Sequence, residues 1–151
     1  MKLSHVDDSG KAQMVDISGK APMHREALAA GKIILAPSTL ELLKKNQLQK
    51  GDVLAVARVA AIQGGKKAAE LIPLCHPLAI HQLDVRFRIV ADGVEISARA
   101  VSEGRTGIEM EALTAVSIAA LTIYDMCKAV DKKMIIGAIA LLEKSKSEIQ
   151  G

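Results

Sequence analysis

Aromatic side chains are almost absent from this chain of 151 residues, which contains one Phe, one Tyr and no Trp. Half of the residues are hydrophobic, so the core must be built from Ala, Val, Ile, Leu and Met. The scarcity of aromatics also removes the stacking platforms on which proteins bind single-stranded RNA or DNA. The net charge of +3 is too small for bulk binding of nucleic acid, although it suits an anionic small molecule. We therefore expect no nucleic-acid partner.

Cysteine is also scarce, since Cys75 and Cys127 are the two in the chain. Two cysteines are too few for a disulfide framework, and their separation of 52 positions does not match a zinc site. We see no signal peptide and no transmembrane segment, so we expect a cytoplasmic protein with no membrane partner. We assign no residue to a metal or to a cofactor, and the sequence leaves open whether the protein requires a divalent metal. The length predicts a single domain over residues 13–144, with a flexible leader over 1–12 and a short tail over 145–151.

The second half of the chain carries clear strand signals. Apolar and polar residues alternate over 83–89 and again over 94–100, and Asp92-Gly93 between them predicts a hairpin turn. Residues 134–142 are typical of a final strand. A long helix is expected between the hairpin and this strand, over 107–132.

The first half is less regular. Residues 13–17 predict a short strand that ends at Ser18-Gly19, and the apolar stretch 25–35 favours a strand over a helix. Ser38 followed by Glu41 is typical of a capping box, which predicts a helix from Pro37 to about Asn46. A second helical region is expected over 52–70, interrupted at Gly64-Gly65.

The resulting element order is β-α-β-β-α-β, with helices after the first and third strands. This order predicts an α+β fold of the ferredoxin-like, split βαβ type, a sandwich with helices on one face of an antiparallel sheet. Enzymes, regulatory modules and RNA-binding domains all use this architecture, so the fold alone does not decide the function.

The long helix has charges at its two ends and none over residues 112–124. This run of thirteen residues is too short to span a bilayer, so we expect the helix to be buried in protein. Thr106 and Glu109 predict a capping box at its start. Asp125 faces the unfavourable end of the helix dipole, and Lys128 follows at i+3 on the same face. The pair is either a structural ion pair or, in a buried setting, an acid/base pair.

A second unusual segment is LIPLCHPL, residues 71–78. Pro73 and Pro77 restrict the backbone and predict a stiff, non-helical loop. Adjacent residues of an extended chain point in opposite directions, so Cys75 and His76 do not form a catalytic dyad with each other. His76 is either structural or a functional residue held by the rigid loop, and Cys75 is expected to be a buried small hydrophobe rather than a nucleophile.

Four motifs together resemble one family. They are LIPLCHPL, KGDV at 50–53, MVDIS at 14–18, and the long segment GIEMEALTAVSIAALTIYDMCKAVDK at 107–132. The chain is similar from about Met14 to Leu142 to the molybdenum cofactor biosynthesis protein C family, the cyclic pyranopterin monophosphate synthases. The resemblance implies a lyase that converts 3′,8-cyclo-7,8-dihydroguanosine triphosphate to cyclic pyranopterin monophosphate and releases pyrophosphate. It also implies a ferredoxin-like catalytic domain and a homohexamer, assembled as a trimer of dimers.

The resemblance also implies roles for nine residues. Asp125 matches the family's catalytic aspartate, and Lys128 and Lys50 match lysines of the active site. The residues that match substrate-contacting positions are Leu74, Cys75, His76, Met110 and Glu111. Lys66 matches a basic position that we assign to the phosphates.

These residue types suit the implied reaction. Rebuilding a purine-derived ring as a pterin requires proton transfers, which an Asp125–Lys128 pair tuned in a buried site can perform near neutral pH. Closing a cyclic phosphate needs cations such as Lys50 and Lys66 where charge develops. Structural alternatives stay open for Met110 as a core residue and for Lys50 as a surface residue.

Two other classes of protein stay open from the sequence. The chain can be a regulatory module that binds a purine nucleotide without turnover, or a structural oligomer whose uncharged helix is an interface. Glu111 and Asp125 also pose a geometric problem, because 14 residues of helix separate their backbones by about 21 Å. We therefore expect each active site to be shared between two subunits.

Overall fold

The computed structural model of the chain describes residues 6, 7 and 9–149. Parts of the expected leader (1–5 and 8) and of the expected tail (150 and 151) lie outside the described residues. The elements in chain order are strand β1 (Met23–Ile34), helices α1 (Pro37–Lys44), α2 (Val53–Lys66) and α3 (Ala68–Leu71), strands β2 (Ile80–Val90) and β3 (Gly93–Gly104), helix α4 (Glu109–Cys127) and strand β4 (Ile135–Ser147).

The four strands form one antiparallel sheet in the order β2-β3-β1-β4. The hairpin joins β2 to β3 with Val90 opposite Gly93, as the alternating pattern predicts. The β4 strand pairs with β1 up to Ser147, which lies three residues inside the expected tail. Helices α2 and α4 pack on one face of the sheet, so the predicted α+β, ferredoxin-like fold is confirmed.

The core lies between the sheet and this pair of helices and is almost entirely aliphatic. Along β3 the side chains at alternate positions are buried, as expected for a strand with one covered face. Opposite them, α4 buries a series of alanines with Val116 and Ile123. The small alanine side chains let the helix lie close to the sheet.

Helix α2 is continuous through Gly64-Gly65, so the predicted interruption is wrong. The two glycines are needed for close packing between helices. A Cβ atom at Gly64 would lie 2.6 Å from Ile118 Cγ1 of α4, and one at Gly65 would lie 3.1 Å from the carbonyl oxygen of Glu111. The glycines therefore bring the end of α2 against the beginning of α4. The real break comes at Lys67, before the short helix α3.

Three local predictions in the first half and at α4 are wrong. Residues 13–17 are irregular, and the first strand is β1, at the stretch 25–35 for which strand was favoured. Helix α1 has Ala36 rather than Ser38 as its N-cap, and α4 has Ile108 rather than Thr106; neither has a side-chain cap. In both cases the chain enters the helix two residues away from the capping-box pattern.

Helix α4 has the length and composition of a membrane-crossing helix, because its apolar stretch extends beyond the uncharged run of thirteen residues. Its length therefore does not exclude a span. More than half of that stretch is buried inside the domain, where α4 packs on the sheet and on α2. The expectation that the helix is mostly buried is confirmed, but Leu121 on its outer side is 55% exposed.

Candidate active site

The end of α4 brings Asp125 together with two lysines, and we call these three residues the lysine–aspartate cluster. Lys128 Nζ lies 2.6 Å from Asp125 Oδ1, and the two residues are three positions apart in the chain. Lys50 Nζ lies 2.8 Å from Asp125 Oδ2 and also donates to the carbonyl oxygen of Asp125 at 3.0 Å. Lys50 comes from the loop before α2, 75 residues away, so the fold assembles this contact.

The two lysines set the charge state of the carboxylate. Hydrogen bonds from Lys128 and then from Lys50 lower the pKa of Asp125 from 3.8 to about 2. The same hydrogen bond, with the carboxylate charge, raises the pKa of Lys128 above its ordinary value. Asp125 is therefore a carboxylate and Lys128 an ammonium group over the whole neutral range.

The lysine–aspartate cluster is exposed in the single chain, which corrects the expected buried pair. The side chains of Asp125 and Lys128 are each 55% exposed. They extend from the last turn of α4 on the outer side of the helix, where Leu121 is exposed as well. Charged groups are stable there because water solvates them, so proximity and hydrogen bonding, rather than burial, tune this pair.

The other end of α4 borders a pocket formed with the proline-rich loop. This cavity has a volume of about 280 Å³. It is lined by Val15, Ile17, Lys20, Leu74, Cys75, His76, Thr106, Gly107, Glu109 and Met110. Four of the five predicted substrate-contacting residues therefore line one pocket, which we call the loop pocket.

The fifth, Glu111, lies next to the loop pocket and is 3% exposed. Its Oε1 is 4.0 Å from the thiol of Cys75, and among the described residues its buried Oε2 has no hydrogen-bond partner. Burial raises the pKa of Glu111, and the nearby charge of Glu109 adds to the effect. Burial also raises the pKa of the Cys75 thiol, with contributions from the same two glutamates. A thiol with a raised pKa is a poor nucleophile, as expected for Cys75, but its side chain is half-buried at the loop pocket rather than buried.

His76 is fixed by the segment that precedes β1. Its Nε2 lies 2.7 Å from the carbonyl oxygen of Val15, which can only accept, so Nε2 carries a proton and donates it. The motif MVDIS does not form a strand, but through Val15 it holds the imidazole of the loop pocket.

Lys66 lies near the loop pocket but outside it. It occupies the last turn of α2, and Gly65 before it packs on the carbonyl oxygen of Glu111. Lys66 lines a separate cavity of about 300 Å³ with residues of β2. The predicted site residues thus divide into two groups, with Lys66 beside the loop pocket and Lys50 in the lysine–aspartate cluster.

The two groups lie at opposite ends of α4. Glu111 belongs to the first turn and Asp125 to the last, and the helix between them is unbroken. A rise of 1.5 Å per residue separates their backbones by about 21 Å. One chain therefore does not bring the loop pocket and the lysine–aspartate cluster together around one small molecule.

Comparison with known proteins places the chain in a family. The model of the MoaC family matches residues 14–147, which is most of the chain. The chain belongs to the MoaC family. Three relatives are each named "Cyclic pyranopterin monophosphate synthase". The chain is 56% identical over 142 residues to that of Novosphingobium aromaticivorans, covering 94% of this chain and 90% of the relative.

The other two relatives give the same result. Identity is 54% over 145 residues to the protein of Pelotomaculum thermopropionicum, covering 95% of this chain and 85% of the relative. Identity is 53% over 146 residues to the protein of Desulfitobacterium hafniense, covering 96% of this chain and 90% of the relative. The resemblance drawn from the motifs is confirmed. The region matched by the MoaC family includes both ends of α4 and extends to the end of β4.

Sequence reasoning missed several residues at the loop-pocket end of this MoaC family member. Lys20 and Glu109 line the loop pocket, and Gly107 lies beside the carboxylate of Glu109. Lys144 of β4 forms an ion pair of 3.2 Å with Glu109. Arg25, Lys144 and Lys146 line an adjacent cavity of about 360 Å³. The motif spacing gave no signal for these cations, because the pairing of β4 with β1 brings them there.

The described residues contain no group of three or more His, Cys, Asp or Glu side chains arranged to hold a metal ion.

Proposed function

We propose that this chain is a cyclic pyranopterin monophosphate synthase, a lyase of molybdenum cofactor biosynthesis. Its substrate is 3′,8-cyclo-7,8-dihydroguanosine triphosphate, and its products are cyclic pyranopterin monophosphate and pyrophosphate. The names of the relatives that match nearly the whole chain support this assignment. The single observation that carries the mechanism is the lysine–aspartate cluster, in which Lys50 and Lys128 both bind Asp125.

The lysine–aspartate cluster provides a base and an acid. At neutral pH Asp125 starts as the base and Lys128 as the acid, because of their lowered and raised pKa values. A carboxylate with a pKa of about 2 is a weak base while both lysines bind it. When a phosphate of the substrate attracts Lys50, Asp125 loses one of its hydrogen bonds and becomes more basic. Substrate binding and activation of the base are then one event.

The loop pocket holds the organic part of the substrate. With Nε2 donating to Val15, Nδ1 of His76 can accept a hydrogen bond, and the buried Oε2 of Glu111 needs a donor such as a purine-edge N–H. Met110, Leu74 and Cys75 supply apolar contact. Lys66 binds a phosphate from beside the loop pocket. Attack of a hydroxyl oxygen of the sugar on the α-phosphorus, with its proton passing to the carboxylate of Asp125, forms the cyclic ester and breaks the bond to pyrophosphate, whose charge the cations stabilise.

Each site is shared between two subunits. The loop pocket of one subunit meets the lysine–aspartate cluster of another, and a two-fold axis generates two equivalent sites for each pair of chains. Helices α2 and α4 form the helix layer on one face of the sheet, and exposed apolar residues of this layer support such a contact. They include Leu121 of α4 and Val56 and Val59 of α2.

A second apolar surface supports further assembly into a homohexamer, a trimer of dimers. Strand β4 is at one edge of the sheet and exposes Ile135, Ile139 and Leu142. A closed hexamer of this kind uses two different contacts, and the helix layer and β4 provide two separate surfaces. A cytoplasmic location is also proposed, supported by the free thiols of Cys75 and Cys127.

Incubation with the cyclised GTP derivative and assay of released pyrophosphate tests the proposed function. The expected result is one pyrophosphate for each pterin product, with Asp92→Asn as a control because Asp92 pairs with Lys32 away from the lysine–aspartate cluster. A regulatory module would bind the nucleotide and release no pyrophosphate, and a structural oligomer would not bind it.

A further inference from the structure

Asp131 is a buried carboxylate that the proposed chemistry does not use. It lies in the turn between α4 and β4 and is 5% exposed. Its Oδ2 accepts from the backbone N–H of Ala36 at 2.8 Å and from the hydroxyl of Thr39 at 3.1 Å. Its Oδ1 accepts from the N–H of Lys133 at 3.1 Å. A buried charge is costly without partners, so three converging donors indicate a specific role.

These donors keep Asp131 charged. Burial alone would raise its pKa, but the hydrogen bonds from Ala36, Lys133 and Thr39 outweigh burial and hold the pKa below the ordinary value. The side chain is therefore a carboxylate at neutral pH.

Helix α1 depends on this carboxylate for its start. Its N-cap, Ala36, has no side chain able to accept a hydrogen bond, and the first turn contains no acidic residue. The N-terminus of a helix has free N–H groups and a partial positive charge, which an anion stabilises. Asp131 supplies that anion from 95 positions further along the chain than Ala36.

On one side, Asp131 is fixed to the turn that carries Lys128. The N–H of Asp131 donates to the carbonyl oxygen of Cys127 at 3.0 Å, and the N–H of Lys128 donates to that of Tyr124 at 2.9 Å. The last turn of α4, with Asp125 and Lys128, is thus continuous with the carboxylate.

On the other side, α1 leads directly into the loop that carries Lys50. Leu40 and Leu43 of α1 and Leu48 of the loop are buried, and the N–H of Gly51 donates to the carbonyl oxygen of Leu48 at 3.0 Å. The position of Lys50 therefore follows the position of α1.

We propose that Asp131 is a positioning residue for the lysine–aspartate cluster. By binding the first turn of α1, it fixes the segment that carries Lys50 against the segment that carries Asp125 and Lys128. The role in catalysis rests on the proposed function, in which the cluster is the reacting centre. Lys50 reaches Asp125 through a 2.8 Å contact, and a misplacement of about 1 Å in an active site can cost about 100-fold in rate.

Asp131→Asn and Thr39→Val test this role, with Thr39→Ser as the variant that restores the hydroxyl. We expect Asp131→Asn to lower kcat for pyrophosphate release about 10-fold or more, and Thr39→Val to lower it less, because one of three donors is lost. Thr39→Ser should return kcat to within about 2-fold of the wild type. Val85→Ala, a cavity variant in β2, is the control for lost stability and should keep its kcat per folded molecule.

A second measurement separates positioning from general stability. Carbon NMR of the Asp125 carboxyl group reports its pKa, which Lys50 helps to lower. The pKa should rise in Asp131→Asn towards its value in Lys50→Ala, and it should stay low in Val85→Ala. An unchanged Asp125 pKa, or wild-type kcat, in folded Asp131→Asn overturns the positioning role.

Two further outcomes are decided in the same experiment. If Asp131→Asn does not fold, Thr39→Val replaces it, and wild-type kcat in that variant overturns the positioning role. Failure of the proposed catalytic centre has a different signature, because Lys50→Ala and Asp125→Asn would then keep wild-type turnover. In that case the role of Asp131 in the reaction is overturned with it.

Discussion

Asp125 lies between two ammonium groups, and each of them changes what its carboxylate can do. Lys128 belongs to the same helix end, so its contact is local, whereas Lys50 arrives from a loop 75 residues away. In the proposed mechanism, the local contact holds the proton donor next to the base. The distant contact would be exchanged for a substrate phosphate without unfolding the helix. Local and distant lysines thus have different uses at the residue scale.

Asp125→Asn keeps the shape of the side chain and removes its charge. We expect kcat to fall by at least about 100-fold, as is typical when a general acid or base is lost. The folded pKa of about 2 lies below the ordinary value of 3.8. Any stability that Asp125 supplies is therefore complete above about pH 4 and disappears as the pH falls towards 2. Urea unfolding near pH 2 should accordingly show little difference in stability between Asp125→Asn and the wild type. Turnover of the folded variant near the wild-type rate would contradict the catalytic assignment of Asp125.

Glu111→Gln tests the buried carboxyl group. Its folded pKa lies above the ordinary value of 4.5, so ionising it costs stability as the pH rises from 4.5 through the folded pKa. The glutamine variant does not ionise. We expect the stability of the variant relative to the wild type, measured as the difference in their free energies of unfolding, to be greater at pH 8 than at pH 4. A difference that is the same at both pH values would mean that Glu111 is not desolvated.

Lys66→Ala tests the phosphate assignment, and the adjacent Lys67→Ala is a matched control with the same loss of charge. We expect Lys66→Ala to weaken binding of a stable triphosphate analogue about 10-fold or more, because a charge-assisted hydrogen bond is lost. Binding of the corresponding nucleoside should change little. Calorimetry with both ligands decides, and equal losses for both would remove Lys66 from the phosphate site.

At the scale of elements, the decisive contact is between α2 and α4. The glycine pair at 64 and 65 lets the two helices approach, and this approach aligns the end of α2, with Lys66, beside the start of α4. The same pairing leaves the beginning of α2, after Lys50, beside the end of α4. One helix pair therefore places both groups of candidate residues.

Gly64→Ala adds one methyl group to this contact. The new Cβ would lie 2.6 Å from Ile118 Cγ1, and overpacking of this kind costs about 1–3 kcal/mol. Alanine improves helix propensity by about 1 kcal/mol, so we expect a net loss of stability and a lower Tm. Gly19→Ala is the control, because nothing lies within 4 Å of that position. A Gly64→Ala protein as stable as Gly19→Ala would show that α4 moves aside at no cost.

The sequence predicted those elements whose signals are periodic. The hairpin of β2 and β3 and the long helix α4 follow from alternation and from hydrophobic pattern, and the order of elements then predicts the fold. The start of α1 was missed because the N–H of Ala36 donates to a distant carboxylate, that of Asp131, rather than to a neighbouring side chain. The continuity at Gly64-Gly65 was missed because Ile118, more than 50 positions away, determines what those glycines do.

For the candidate site, the sequence predicted which residues to consider but not how the fold arranges them. The nine candidate residues come from the family resemblance, and their assignment as a functional site stays a prediction. The fold brings Lys50 to Asp125, which spacing along the chain does not indicate. The exposure of Asp125 and the cations near Glu109 depend on tertiary contacts that no local pattern encodes.

At the scale of the whole molecule, the described residues form two exposed apolar surfaces and two separate groups of candidate site residues. Leu121 and its neighbours on α2 are exposed beside the lysine–aspartate cluster, whereas the exposed side chains of β4 lie at the edge of the sheet. Apolar patches on a protein surface mark contacts with other proteins. A contact through the helix layer can join a loop pocket to a lysine–aspartate cluster.

Mixing two inactive proteins tests this assembly. Glu111→Ala damages one half-site and Asp125→Asn the other, so a mixed dimer contains one intact site and one site with both defects. Random exchange of subunits in equal amounts should restore about a quarter of wild-type activity, since half of the dimers are mixed. Each variant incubated alone is the control. No recovery, despite exchange demonstrated by mass spectrometry, would mean that each subunit works alone.

The glycine at position 64 also restricts how the chain can diverge. A larger residue there is compatible with the fold only if the residue at 118 becomes smaller, because the two share one volume. In an alignment of many descendants these positions should change together, with alanine at 64 accompanied by valine or alanine at 118. Along such a lineage the smaller residue at 118 should appear before alanine at 64, because in that order the contact between the two positions is never overpacked.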